Sequence, residues 1–177
     1  MPEEPHSHNV PSRMTGEEFV NAFGALYEHS PWVASRTFNA GASKHWDSLD
    51  GLAKALSVTL ENATNDEKLT LIRAHPDLAG KASVAGSLTA ESEDEQSSAG
   101  LDRCSSEELK RFHSLNDAYK TKFEFPFIMA VKDSNRHLIL AAFEQRIGNS
   151  YADEFATAIA EINKIARLRL KPYFTVE

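Results

Sequence analysis

The chain has 177 residues, 41% hydrophobic and 25% charged, the make-up of one soluble globular domain with room for a sizeable core. Its 19 Lys and Arg stand against 26 Asp and Glu, a formal net charge of −7, and no basic patch is dense enough for a nucleic-acid partner. No apolar run approaches the roughly 20 residues of a membrane span. Met1–Pro11 lacks the apolar centre of a secretory leader, and Thr175-Val176-Glu177 is not a peroxisomal address. Cys104 is the only cysteine, which suits a reducing compartment, and the cytoplasm is the default expectation.

Residues 1–12 carry three prolines with His6 and His8 and have little to bury, so they read as a flexible tail, with the domain over 13–177. Helix signals then dominate. Thr15 followed by Glu18 is a capping-box pattern ahead of Phe19, Val20, Phe23, Leu26 and Tyr27 at helical spacing. Pro31 ends or redirects that helix, and Trp32 and Val33 begin a short second one. Asp47 or Ser48 caps a helix with the stripe Leu49, Leu52, Leu56 and Leu60. Thr64 and Glu67 open another that runs to about Ala74, where His75-Pro76 stops it. From Asp77 to Ala99 the chain is small and acidic without an apolar stripe, which predicts a loop or short polar helices. Ser105 and Glu108 start a helix with Leu109, Phe112, Leu115, Tyr119 and Phe123 on its buried face. Phe125–Val131 reads as a buried extended segment, Ser134 as the cap of a helix carrying Leu138, Ile139, Phe143 and Ile147. A last helix runs from about Asp153. The fold class is all-α, a single-domain multi-helix bundle.

Four segments resist a purely structural account. His75, at a helix end and fixed by Pro76, is well placed to titrate near neutrality, although such a residue is more often only a helix terminus. Ser92 and Glu95 stand three apart and share a helical face; taken alone they also fit an exposed acidic turn. The backbone of Phe125–Val131 offers amides and carbonyls to a flat heterocycle, or simply packs in the core. Arg169 falls on the apolar side of its helix and needs an acidic partner or an anionic ligand. His29, His45, His75, His113 and His137 show no metal-ligand spacing with Cys104 or with one another.

Together these segments resemble the 2-oxo-4-hydroxy-4-carboxy-5-ureidoimidazoline (OHCU) decarboxylase family. The resemblance is carried by Leu26-Tyr27-Glu28-His29-Ser30-Pro31-Trp32-Val33, the His75-Pro76-Asp77-Leu78-Ala79-Gly80 block, and Ser92 with Glu95-Gln96. Leu115-Asn116 with Tyr119, Phe125-Pro126-Phe127-Ile128, Phe143-Glu144 with Arg146 and Asn149, and Lys164–Leu170 complete it. It runs in family order from about Met14 to Leu170. It implies an all-α, usually homodimeric enzyme that needs no metal or organic cofactor and converts the ureidoimidazoline to (S)-allantoin. By that resemblance His75 is the catalytic acid/base and Glu95 acts beside it. Pro76, Ser92, Gln96, Phe127, Ile128, Met129, Ala130, Val131 and Arg169 bind the substrate. The chain departs from many relatives at Glu124 and Asp133, where glycine is common.

That chemistry needs such residues. Loss of carbon dioxide leaves an electron pair on a ring carbon, which calls for a carboxylate held out of the ring plane and for hydrogen bonds where charge develops. One face must then be protonated. A non-catalytic helical binding module, or an enzyme acting on another carboxylated heterocycle, would have the same helices; the polar set His75, Ser92, Glu95, Gln96 and Arg169 separates the first of these from an enzyme.

Overall fold

Short-range hydrogen bonds decide where the helices begin. The computed structural model describes residues 10–80 and 86–175, and among these there are eight α-helices and no β-strand. In chain order they are α1 (Gly16–Phe23), α2 (Trp32–Asn39), α3 (Leu49–Glu61), α4 (Asn65–Ala74), α5 (Ala90–Ser98), α6 (Ser106–Phe123), α7 (Arg136–Arg146) and α8 (Tyr151–Phe174). The capping boxes form as expected: the Thr15 amide donates to the Glu18 carboxylate at 2.8 Å and the Glu18 amide returns a bond to Thr15 Oγ1. Thr64 with Glu67 and Ser105 with Glu108 repeat the arrangement.

Some boundaries differ from the sequence expectation. The first helix does not continue to Tyr27; after Phe23 it tightens into a 3₁₀ turn, Gly24–Leu26. Ser48, not Asp47, caps α3. Asn135, not Ser134, caps α7, accepting from the amides of His137 and Leu138 at 3.0 Å. The last helix begins at Tyr151, where Ser150 accepts from the Asp153 amide and donates to its carboxylate. Of the expected tail, residues 1–9 lie outside the described residues. Pro11–Arg13 form a 3₁₀ turn in which Pro11 is buried and Ser12 hydrogen-bonds twice to Asp47. No described helix is long and apolar enough to cross a membrane.

The chain divides into two compact units, one holding the described residues to Leu71 and those from Asn163 onward, the other Ile72–Ile162. In the first, α1 packs on α2 and α2 on α3. Its core is aromatic at one end, with Phe19 against Phe23, Phe38 and Trp46 at 4.9, 5.5 and 5.0 Å between ring centroids. Of the expected leucine stripe of α3, Leu52, Leu56 and Leu60 are fully buried, while Leu49, the first residue of the helix, is only partly so. Tyr27 is buried with its hydroxyl bonded to Asn163 Oδ1 at 2.8 Å.

The second unit has its own aromatic centre. Phe127 stacks on Phe143 at 3.9 Å, and Tyr119 meets both rings edge-on. Phe125–Val131 carries no regular secondary structure and is buried apart from Met129; the sequence predicted a buried segment between helices. Arg146 Nη1 donates to the Ile128 carbonyl at 2.7 Å while its guanidinium lies 4.2 Å over the Phe127 ring. The same guanidinium pairs with Glu154, a carboxylate with no solvent exposure that also accepts from Asn149 and Tyr119. Burial pushes the Glu154 carboxyl up, but the hydrogen bonds from Arg146, Tyr119 and Asn149 outweigh it and hold the group below its ordinary range.

Candidate active site

After α4 the chain enters an irregular turn held by side chains from two other helices of the second unit. His75 ends α4, with its amide bonded to the Ile72 carbonyl at 3.2 Å and only 9% of its surface exposed. Pro76 takes the chain out of helical geometry, and Asp77 to Gly80 form a turn. At position 80 a Cβ would stand 2.5 Å from the Cβ of Asp77, so the site admits only glycine. Ala79 is left-handed at φ 49°, an uncommon conformation for a residue with a side chain.

Three side chains hold this turn. Gln96 on α5 accepts from the Ala79 amide at 3.0 Å and donates to the Asp77 carbonyl at 3.3 Å, and is itself 3% exposed. Asn116 on α6, 2% exposed, donates to the Leu78 carbonyl at 2.9 Å. One turn further along α6, Lys120 pairs with the Asp77 carboxylate at 2.6 Å.

α5 is a polar helix capped by Thr89, whose hydroxyl accepts from the Ser92 amide. Its spacing puts Ser92 and Gln96 on the buried face, with Glu95 half-buried beside them. Gln96 is thus brought to the turn that His75 begins, and Ser92 lies one helical turn before it. Phe127, Ile128, Ala130 and Val131 are buried in the same unit, and the Ala130 amide donates to Glu161 at 2.7 Å. Arg169 belongs to the first unit. There the acidic partner demanded by its position on α8 is Glu28, 3.0 Å away.

Glu124 and Asp133 are both left-handed, at φ 59° and 64°, a conformation in which glycine would pay no Cβ penalty. Burial pushes the Cys104 thiol up, which makes it a poorer nucleophile than a free thiol.

The sequence reading gave no role to Asn116, Lys120, Glu28, Arg146, Glu154 or Glu161. Asn116 did leave a signal, as a polar residue on the buried stripe Phe112, Leu115, Tyr119 and Phe123. Glu154 leaves the same one on the apolar side of α8.

The second unit thus presents His75, nearly buried, beside a turn pinned by Gln96, Asn116 and Lys120. Residues 12–171 match the family model described as OHCU decarboxylase, and the chain belongs to that family of carboxy-lyases. It is 44% identical over 166 residues to a 2-oxo-4-hydroxy-4-carboxy-5-ureidoimidazoline decarboxylase of Haloferax volcanii, covering 94% of this chain and 95% of that one. With the same enzyme of Halalkalicoccus jeotgali it shares 47% identity over 155 residues, 88% of this chain and 84% of the other. Among solved structures it is similar to one described as (S)-allantoin synthase, with a TM-score of 0.71 and 30% identity. That likeness covers 92% of this chain and 52% of the other, so this chain spans about half of that longer one.

Proposed function

We propose that this protein decarboxylates 2-oxo-4-hydroxy-4-carboxy-5-ureidoimidazoline to (S)-allantoin in urate degradation, with His75 as acid/base and with no metal or organic cofactor. What carries the reading is the pinned turn that begins at His75, in a chain of this family. As carbon dioxide leaves, the electron pair on the ring carbon spreads into the conjugated ring, and His75 then supplies or relays a proton to one face. Glu95 orients His75 or holds the substrate's hydroxyl. Pro76, Ser92, Gln96 and Phe127–Val131 line the binding site, Gln96 also holding the turn after His75. Arg169 is assigned to the substrate's carbonyls or anionic group on the family match alone. On the same footing the protein works as a homodimer in the cytoplasm; light scattering of the purified protein checks the first and imaging of a tagged chain the second.

The substrate is generated in situ from urate by urate oxidase and the hydrolase that follows it, and allantoin is read by circular dichroism. A dichroic signal growing faster with the protein than without it is the expected result, and it should persist after chelator treatment and dialysis. Growth no faster than the spontaneous, racemic background would refute the assignment, and activity recovered only on adding a metal would refute its cofactor-free form.

A further inference from the structure

Both ends of the Gln96 amide bind the protein's own backbone, at Asp77 and Ala79, leaving one N–H and one oxygen lone pair. Those two bonds straddle Leu78, whose carbonyl is taken by Asn116. Asn116 is an expensive way to make one hydrogen bond. Its Oδ1 is buried without a partner among the described residues, and a leucine at this point of the buried stripe would avoid that cost. A pair of buried amides converging from two helices on three residues, one of them in a left-handed conformation, is more than packing requires.

We infer that Gln96 and Asn116 are positioning residues that hold the 77–79 turn in its left-handed form and so aim His75, with Lys120 as an outer tether through Asp77. Gln96 then acts on the reaction through Ala79, beyond any contact its remaining N–H and lone pair make with the substrate. The inference rests on the decarboxylase reading for its catalytic consequence but not for its geometry. It has a specific signature. Without the Gln96 acceptor, alanine at position 79 gains by leaving the left-handed region, and the turn relaxes. Glycine at 79 has no such preference and stays.

The test is a cycle of Gln96→Ala, Ala79→Gly and the double variant, with kcat and KM measured by the dichroic assay. Gln96→Ala is expected to lose on the order of 10–100-fold in kcat, the scale of a small misplacement of a reacting group, with KM little changed. The double variant is expected to recover a good part of that loss. Unchanged kcat in Gln96→Ala overturns the inference. So does a loss that Ala79→Gly fails to recover, because a missing substrate contact cannot be restored by a glycine in the turn.

If Gln96→Ala does not fold, Lys120→Met takes its place, since it removes only a partly exposed pair. A fall in kcat at unchanged melting temperature is then expected, and wild-type kcat overturns the inference. Amide exchange in the wild type gives a readout independent of activity: the Ala79 amide should exchange slowly, and rapid exchange overturns the clamp itself. Slow exchange in a protein inactive on the ureidoimidazoline would instead sink the decarboxylase reading, and with it the catalytic use of the clamp.

Discussion

Arg169 and Glu28 form a 3.0 Å ion pair in which the two side chains are only 6% and 2% exposed. A pair so far from water is held by mutual dependence, since each charge alone would be costly to bury. Arg169→Met should therefore do more than weaken substrate binding. It should cost about 3–5 kcal/mol of stability, a fall of roughly 6–20 °C in Tm for a chain of this size. The double variant Glu28→Met/Arg169→Met should regain most of it. Calorimetric melts decide the matter, and a single variant that melts with the wild type would show that the pair contributes nothing.

The left-handed residues Glu124 and Asp133 give a prediction of opposite sign. Replacing each with glycine removes the left-handed penalty of about 1–2 kcal/mol and returns part of it through the freer unfolded chain. A net gain of roughly 0.5–1 kcal/mol is expected at Glu124, and less at Asp133, because aspartate tolerates this conformation better. Glu124→Gly keeps the carbonyl that accepts from Arg73 Nε, so that bond survives. Urea titrations should show higher midpoints at unchanged slope; lower midpoints would contradict the strain reading.

His75→Asn and Glu95→Ala should each lose on the order of 10²–10⁴-fold in turnover, the usual worth of a placed acid/base group. Both should stay folded, since neither side chain belongs to the aromatic or leucine cores. Initial rates beside thermal melts give the answer, and a folded His75→Asn protein with near-normal rates would remove His75 from the chemistry.

Acid stability should depend on Glu154. Its carboxyl is held below the ordinary range when folded, so its stabilising contribution is present above the unfolded value of about 4.3 and is lost as pH falls through the folded value. Tyr119→Phe removes one hydrogen bond to the carboxylate. That moves the folded value back up and should raise the pH of acid unfolding, with a cost at neutral pH of about 1.5–3 kcal/mol. Acid titrations followed by circular dichroism would show the shift, and coincident curves would argue against it.

What the sequence discloses depends on the range of the interaction. The boxes at Thr15, Thr64 and Ser105 were legible because each closes over three residues. The stripe of α3 was legible because burial follows the period of the helix. α5 was legible only as one of two readings, a loop or short polar helices, because a polar helix has no stripe to fix its bounds; it is set by the Thr89 cap and by Gln96 reaching a turn 17 residues earlier. Arg169 announced the need for a partner without naming it, since Glu28 is 141 positions away. His75, Ser92 and Gln96 could be picked out as a set. That Gln96 would spend its amide on the backbone could not, because that depends on the left-handed geometry of Ala79.

The sequence of α5, Ala-Glu-Ser-Glu-Asp-Glu-Gln-Ser-Ser, contains no large apolar side chain, and only Ser92 and Gln96 are buried. Little hydrophobic burial of its own ties this helix to the rest of the unit, while the aromatic centre around Phe127 and Phe143 is densely packed. Warming or mild denaturant should fray α5 first and release the turn that carries His75 while the core persists. Inactivation should then precede melting, so that the enzyme falls silent in a state that spectroscopy still scores as folded.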